Sequence, residues 1–154
     1  MKIRSVVLAL ALCFVALGVS FAESPQMGTW KLNEAKSKLP AGFMKNTTVV
    51  YSVEGDKVKV TTDGTDAKGG PMHTEWTGNF DGKSYPLTGD PTADSRSYKQ
   101  VSTHVLSLSN MKDGKPVATG KIVVSADGKT RTLSVTAANA EGKKVTSTAV
   151  YDKQ

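Results

Sequence analysis

The chain has 154 residues, the size of one ordinary domain, and carries 20 Lys and Arg against 14 Asp and Glu, a formal charge of +6. That charge is mild and scattered, with one or two lysines per turn. Nucleic acid is a poor candidate partner, because it calls for a concentrated basic stripe interleaved with aromatics. The only cysteine, Cys13, excludes an internal disulfide framework and a thiolate metal cluster.

The N-terminus has a basic start at Lys2 and Arg4, an apolar run over 6–19, and Ser20-Phe21-Ala22 with small residues at the −3 and −1 positions of a cut after Ala22. This pattern predicts a secretory signal peptide at 1–22. The run is shorter than the roughly 20 residues a bilayer span needs, so cleavage rather than stable membrane insertion is expected. A lipoprotein signal is disfavoured by Leu12, where a small residue would have to precede Cys13. Residues 23–154 then form one domain, exported to the periplasm or beyond the cell.

Along that domain the dominant feature is a rhythm of turn signals: Gly55-Asp56, Gly69-Gly70, Asp81-Gly82, Asp113-Gly114, Asp127-Gly128 and Glu141-Gly142. Short Val-, Thr- and aromatic-rich runs lie between them, as in a meander of antiparallel hairpins. The first predicted strand, 28–33, alternates Trp30 and Leu32 against Thr29, Lys31 and Asn33. The connector 34–44 has room for a turn of helix before Pro40 and Gly42 stop it.

Residues 47–53 place Val49, Tyr51 and Val53 on one face, and 57–62 do the same with Val58 and Val60. In 72–80, Met72, Trp76 and Phe80 face one way and His73, Glu75, Thr77 and Asn79 the other. A short strand at 83–88 carries Pro86, which marks an edge, bulge or strand end. Strands are also expected at 95–101, 104–111, 117–125, 130–138 and 145–151. A long meander must close or expose two edges, so an all-β, up-and-down barrel of about 8–10 strands is predicted.

The opening Gly28-Thr29-Trp30-Lys31-Leu32 and the closing Val145-Thr146-Ser147-Thr148-Ala149-Val150-Tyr151 resemble the first and last strands of fatty-acid-binding proteins, within the calycin group that includes lipocalins. The resemblance implies a calycin- or lipocalin-like barrel. In that family the last strand supplies an arginine and a tyrosine that hold a ligand carboxylate. Here the tyrosine matches Tyr151, but Ala149 stands at the arginine, so the motif lacks its anionic anchor. The connector 34–44 is also too short for the family's two-helix lid. The opening through Asn33 and the central Asp81-Gly82-Lys83-Ser84-Tyr85-Pro86-Leu87-Thr88-Gly89-Asp90-Pro91 resemble uncharacterised secreted bacterial proteins labelled lipocalin-like, a likeness that adds no activity.

The remaining constellations are weak. Asp90 and Asp94 could offer oxygens to a hard cation, but their spacing is not that of a calcium loop, and Asp-Pro turn chemistry explains them. His73 and Glu75, two apart on one strand, share a face opposite Trp76 and so read as a solvent-facing pair. Trp30 beside Gly28 reads as an end plug of the barrel. There is no nucleophile elbow, phosphate loop, dinucleotide fingerprint or His/Cys cluster, so neither an enzyme nor a bound cofactor or metal is expected.

The functional expectation is a barrel that takes a small hydrophobic or amphipathic molecule, with Trp30, Tyr51, Trp76, Phe80, Tyr85, Tyr98 and Tyr151 as candidate contacts. The competing expectation is an envelope structural or interaction protein with a packed barrel, acting through loops such as 85–94.

Overall fold

The structure is a computed structural model and describes residues 24–154. The expected leader at 1–22 lies outside the described residues. Each predicted run forms a strand: β1 (Gly28–Leu32), β2 (Lys45–Glu54), β3 (Lys57–Thr65), β4 (Pro71–Gly78), β5 (Asp81–Thr88), β6 (Ser95–Ser102), β7 (Val105–Lys112), β8 (Lys115–Val124), β9 (Thr130–Ala138) and β10 (Lys144–Lys153). The connector contains one short 3-10 turn, Glu34–Lys36, capped by Asn33, whose side chain accepts from the Lys36 amide. It then bridges onto β10 through Lys38 and Thr148. No two-helix lid covers the barrel at this connector.

All strands pair antiparallel with their sequence neighbours, and β1 pairs with both β2 and β10, closing the barrel. The turn chemistry accounts for this order: at Asp113-Gly114 both residues have positive φ (50° and 74°), the type I′ geometry whose twist matches that of the flanking strands. Closure leaves no free edge among these strands. The thinnest seam is β4–β5, where only Glu75–Thr88 and Trp76–Leu87 register; Pro86 sits within β5 and pairs with Ser95 on the other side. This is the calycin-like, up-and-down architecture.

Two details depart from strict alternation. Val53 was expected to face inward with Val49 and Tyr51, but it lies at the β2–β3 hairpin and is 46% exposed, because the barrel interior ends before the strand does. On β2 the register shifts between Asn46 and Thr48, so that Asn46 and Val49, an odd number of residues apart, both reach the interior. Among the described residues, no helix is long and apolar enough to cross a membrane.

The core is unevenly filled. Trp30, Tyr51, Val58, Val60, Trp76, Phe80, Leu106, Ile122 and Val124 crowd one end. There Trp30, fully buried, donates its Nε1 hydrogen to the Gln26 carbonyl at 2.9 Å, so the residues preceding β1 fold under the barrel as a plug. Each such large side chain contributes about 1.5–3 kcal/mol on burial, and this end carries most of that apolar packing.

Candidate ligand-binding site

The other half of the barrel is hollow. The inner faces of β8, β9 and β10 present short side chains there, Ala118, Ala137, Ser147 and Ala149, with Thr62 across from them on β3. These leave a cavity of about 590 Å³, a volume suited to a small-molecule ligand. Leu32, Leu39, Val49, Leu108, Leu133 and Val135 make much of its wall apolar. Phe43 and Met44 from the connector, Ala67, Thr92, Pro116, Val117 and 138–140 belong to the loops and strand ends at its mouth.

Charge enters this cavity at two points, Arg96 on β6 and Arg131 on β9. Arg131 is 2% exposed. Its Nη2 donates to the Tyr51 hydroxyl at 2.8 Å, while Nε and Nη1 are buried without any hydrogen-bond partner. Three rings surround the guanidinium, with its carbon 4.7 Å from the Tyr51 centroid, 5.5 Å from Tyr151 and 5.9 Å from Trp30. Such faces favour a cation, but by far less than the desolvation of a buried charge costs. Among the described residues no carboxylate pairs with it.

Arg96 is the opposite case. Nε donates to Asn110 Oδ1 at 2.6 Å, Nη1 to the Tyr98 hydroxyl at 3.2 Å, and Nη2 lies 3.9 Å from Asp90 Oδ2. The two arginines are joined through tyrosines: Tyr51, which accepts from Arg131, donates to Tyr98 at 3.4 Å. Burial pushes the Tyr51 phenol well up, against the pull of Arg131. Burial likewise raises Tyr151 to about 12, with Arg131 opposing. For Tyr98 burial also raises the phenol, but Arg96 and the hydrogen bonds from Tyr51 and Arg96 outweigh it and leave it below the usual value of 10.0.

The seven candidate contacts from the sequence separate into three places. Tyr98 and Tyr151 line the cavity. Trp30, Tyr51, Trp76 and Phe80 belong to the packed core, where Trp76 stands edge-on to Tyr98 at 4.8 Å and is stacked with Phe80 at 6.4 Å; Tyr51 reaches the site only through its hydroxyl. Tyr85 lies outside the cavity lining: its ring packs on Trp76 at 5.7 Å, over the place Gly78 leaves open, and its hydroxyl donates to Asp81.

The candidate binding group that sequence reasoning passed over is Arg131. The resemblance pointed to the last strand, where Ala149 stands; the guanidinium comes instead from β9, directly across from Tyr151 in the β9–β10 register. A signal existed in the alternation of Arg131 with Leu133 and Val135, which puts a charge in the phase of an inward-facing apolar face.

Asp90 is engaged in local turn chemistry as expected, whereas Asp94 ties its loop to the distant β7–β8 turn. Asp90 Oδ1 accepts from the Thr92 amide and hydroxyl at 2.8 and 2.7 Å, and Asp94 accepts from the Asp113 amide at 2.8 Å and from Ser95. His73 is on the outer face, 55% exposed, between Asp63 (2.6 Å) and Glu75 (3.5 Å), with Lys59 on Glu75. Among the described residues, no group of three or more His, Cys, Asp or Glu is arranged to hold a metal ion.

A closed calycin-like barrel with an apolar cavity and a buried cationic floor is the class this geometry defines. No protein-family model and no curated protein matches the chain. Among solved structures it is similar to a redesigned beta barrel, mFAP1, bound to DFHBI, at 15% sequence identity and a TM-score of 0.43, over 84% of this chain and 98% of that one. A likeness at that level carries no argument about a ligand here.

Proposed function

We propose that this protein binds a small amphipathic anion inside the barrel, its head at Arg131 and its apolar body along Leu133, Val135, Leu108 and Leu39, and that it does so after export to the periplasm or the cell exterior. The observation that supports this most is the Arg131 guanidinium, buried on a cavity wall with two donors unused. Buried polar groups are nearly always satisfied, and a charge left without a partner costs several kcal/mol, a cost that persists where function requires it. The apolar walls and the apolar loops at the mouth suit a tail entering behind the head.

The direct test is native mass spectrometry of the mature protein purified from its own host, followed by denaturing extraction and identification of whatever is released. A stoichiometric acidic amphiphile is the expected result. If the protein carries nothing and binds neither dodecanoate nor dodecyl phosphate in calorimetry, the carrier reading is overturned.

A further inference from the structure

The interior holds an odd charge count. Arg96 and Arg131 both reach the cavity, yet among the described residues the one buried carboxylate is Asp90, and it stands by Arg96. The Asp90 side chain is 2% exposed, with one oxygen held by Thr92 and the other 3.9 Å from Arg96 Nη2. Arg96 is further engaged by Asn110 and Tyr98. The surplus is therefore one positive charge, located on Arg131.

We propose that Asp90 is the specificity-determining residue of this cavity: by neutralising Arg96 it limits the site to a head group bearing one negative charge, such as a carboxylate, and excludes dianionic heads such as a phosphate monoester. This rests on the reading of the barrel as a binder of anionic amphiphiles. The reasoning is electrostatic. A single charge on Arg131 leaves the interior neutral overall. Among the described residues a second charge on the same head finds no free cation at the cavity, because Arg96 is already compensated, and in a medium of low dielectric it is repelled by the Asp90 charge beside Arg96. Discrimination of this kind comes from the repulsive element as much as from the attractive one.

Asp90→Asn isolates the charge, because the amide keeps an oxygen that can accept from Thr92 and hold the 89–94 turn in place. The assay is calorimetric titration, at pH 8, of the mature protein stripped of co-purifying small molecules, with dodecanoate, dodecyl phosphate and dodecanol as chain-matched probes. At that pH the phosphate is a dianion, its second pKa being about 6. Wild-type protein is expected to bind dodecanoate at least tenfold more tightly than dodecyl phosphate. Asp90→Asn is expected to shift that ratio toward the phosphate by tenfold or more, and the double variant Asp90→Asn, Arg96→Gln, which again leaves one surplus charge, to restore it.

A readout on unaltered protein stands beside these variants: lowering the pH from 8 to 5 returns a proton to the phosphate and is expected to close the gap between the two probes. Equal wild-type affinities at pH 8, or a ratio that Asp90→Asn and pH leave unmoved, overturn the role of Asp90 while leaving anion binding intact. Failure of both anions to bind, or dodecanol binding as tightly as they do, overturns the parent reading instead.

Discussion

Replacing Arg131 by Met separates the two things a buried cation can be, a structural asset or an anchor kept for a ligand. The substitution removes one charge-assisted hydrogen bond, that from Nη2 to Tyr51 at 2.8 Å, worth about 1.5–3 kcal/mol. It also removes contacts with three aromatic faces, worth about 2 kcal/mol or more where they are desolvated. Against this it relieves the desolvation of an ion whose Nε and Nη1 meet no acceptor, several kcal/mol by the same scale, and supplies a flexible apolar side chain beside Trp30 and Tyr151. Tyr51 keeps Tyr98 as a hydroxyl partner.

The balance favours the variant, in line with the roughly 1–4 kcal/mol gained when buried ionic groups give way to apolar ones. At about 4 °C per kcal/mol for a domain of this size, the ligand-free Arg131→Met protein should melt roughly 4–15 °C above wild type by calorimetry or circular dichroism. The same variant should lose dodecanoate binding by at least tenfold. A variant that melts below ligand-free wild type would refute the reasoning, since the guanidinium would then be holding the barrel together.

Three further outcomes follow from particular contacts. In a spectrophotometric alkaline titration, the first phenol to ionise should be Tyr98, below 10.0, with Tyr51 and Tyr151 (about 12) later; Tyr98→Phe should delete the early step, and an unchanged early step would show that another phenol ionises first. His73, bonded first to Asp63 and then to Glu75, should titrate above 6.5 by NMR, and Asp63→Asn should bring it down; because the folded pKa is raised, this pair's support is present below 6.5 and is lost as pH rises through the folded value. Gly89→Ala should cost about 3 kcal/mol in denaturant unfolding, because φ is +79° and an added Cβ would overlap the His73 carbonyl oxygen; a near-neutral result would mean the 89–94 turn can shift freely.

Much of the architecture is written locally in the chain. Turn pairs such as Asp113-Gly114 and period-2 runs such as 57–62 each specify a hairpin within a dozen residues, and ten strands linked by such hairpins have closure as the natural way to bury their edges. Trp30 as an end plug, the short connector after β1, and the turn role of Asp90 were legible for the same reason: each depends on neighbours close in sequence, whereas Asp94 also holds the Asp113 amide, 19 residues away.

What only the tertiary structure decided are quantities summed over distant strands. The barrel is hollow in one half because Thr62, Ala118, Ala137, Ser147 and Ala149, from four strands, all turn small side chains into it, while Tyr51, Trp76 and Phe80 pack together in the other. No single strand shows that imbalance. Tyr85 stays out of the cavity because its ring packs on Trp76 in the space Gly78 leaves open, and Val53 is exposed because its hairpin outruns the interior.

Arg131 is the clearest case. Its inward phase can be read from Arg131, Leu133 and Val135, but its meaning comes from the absence of a partner carboxylate among the described residues, while Asp90, brought in by a turn 41 residues earlier in the chain, lies by Arg96 instead. Sequence places a charge on a face; whether that charge is compensated is a property of the space the fold encloses.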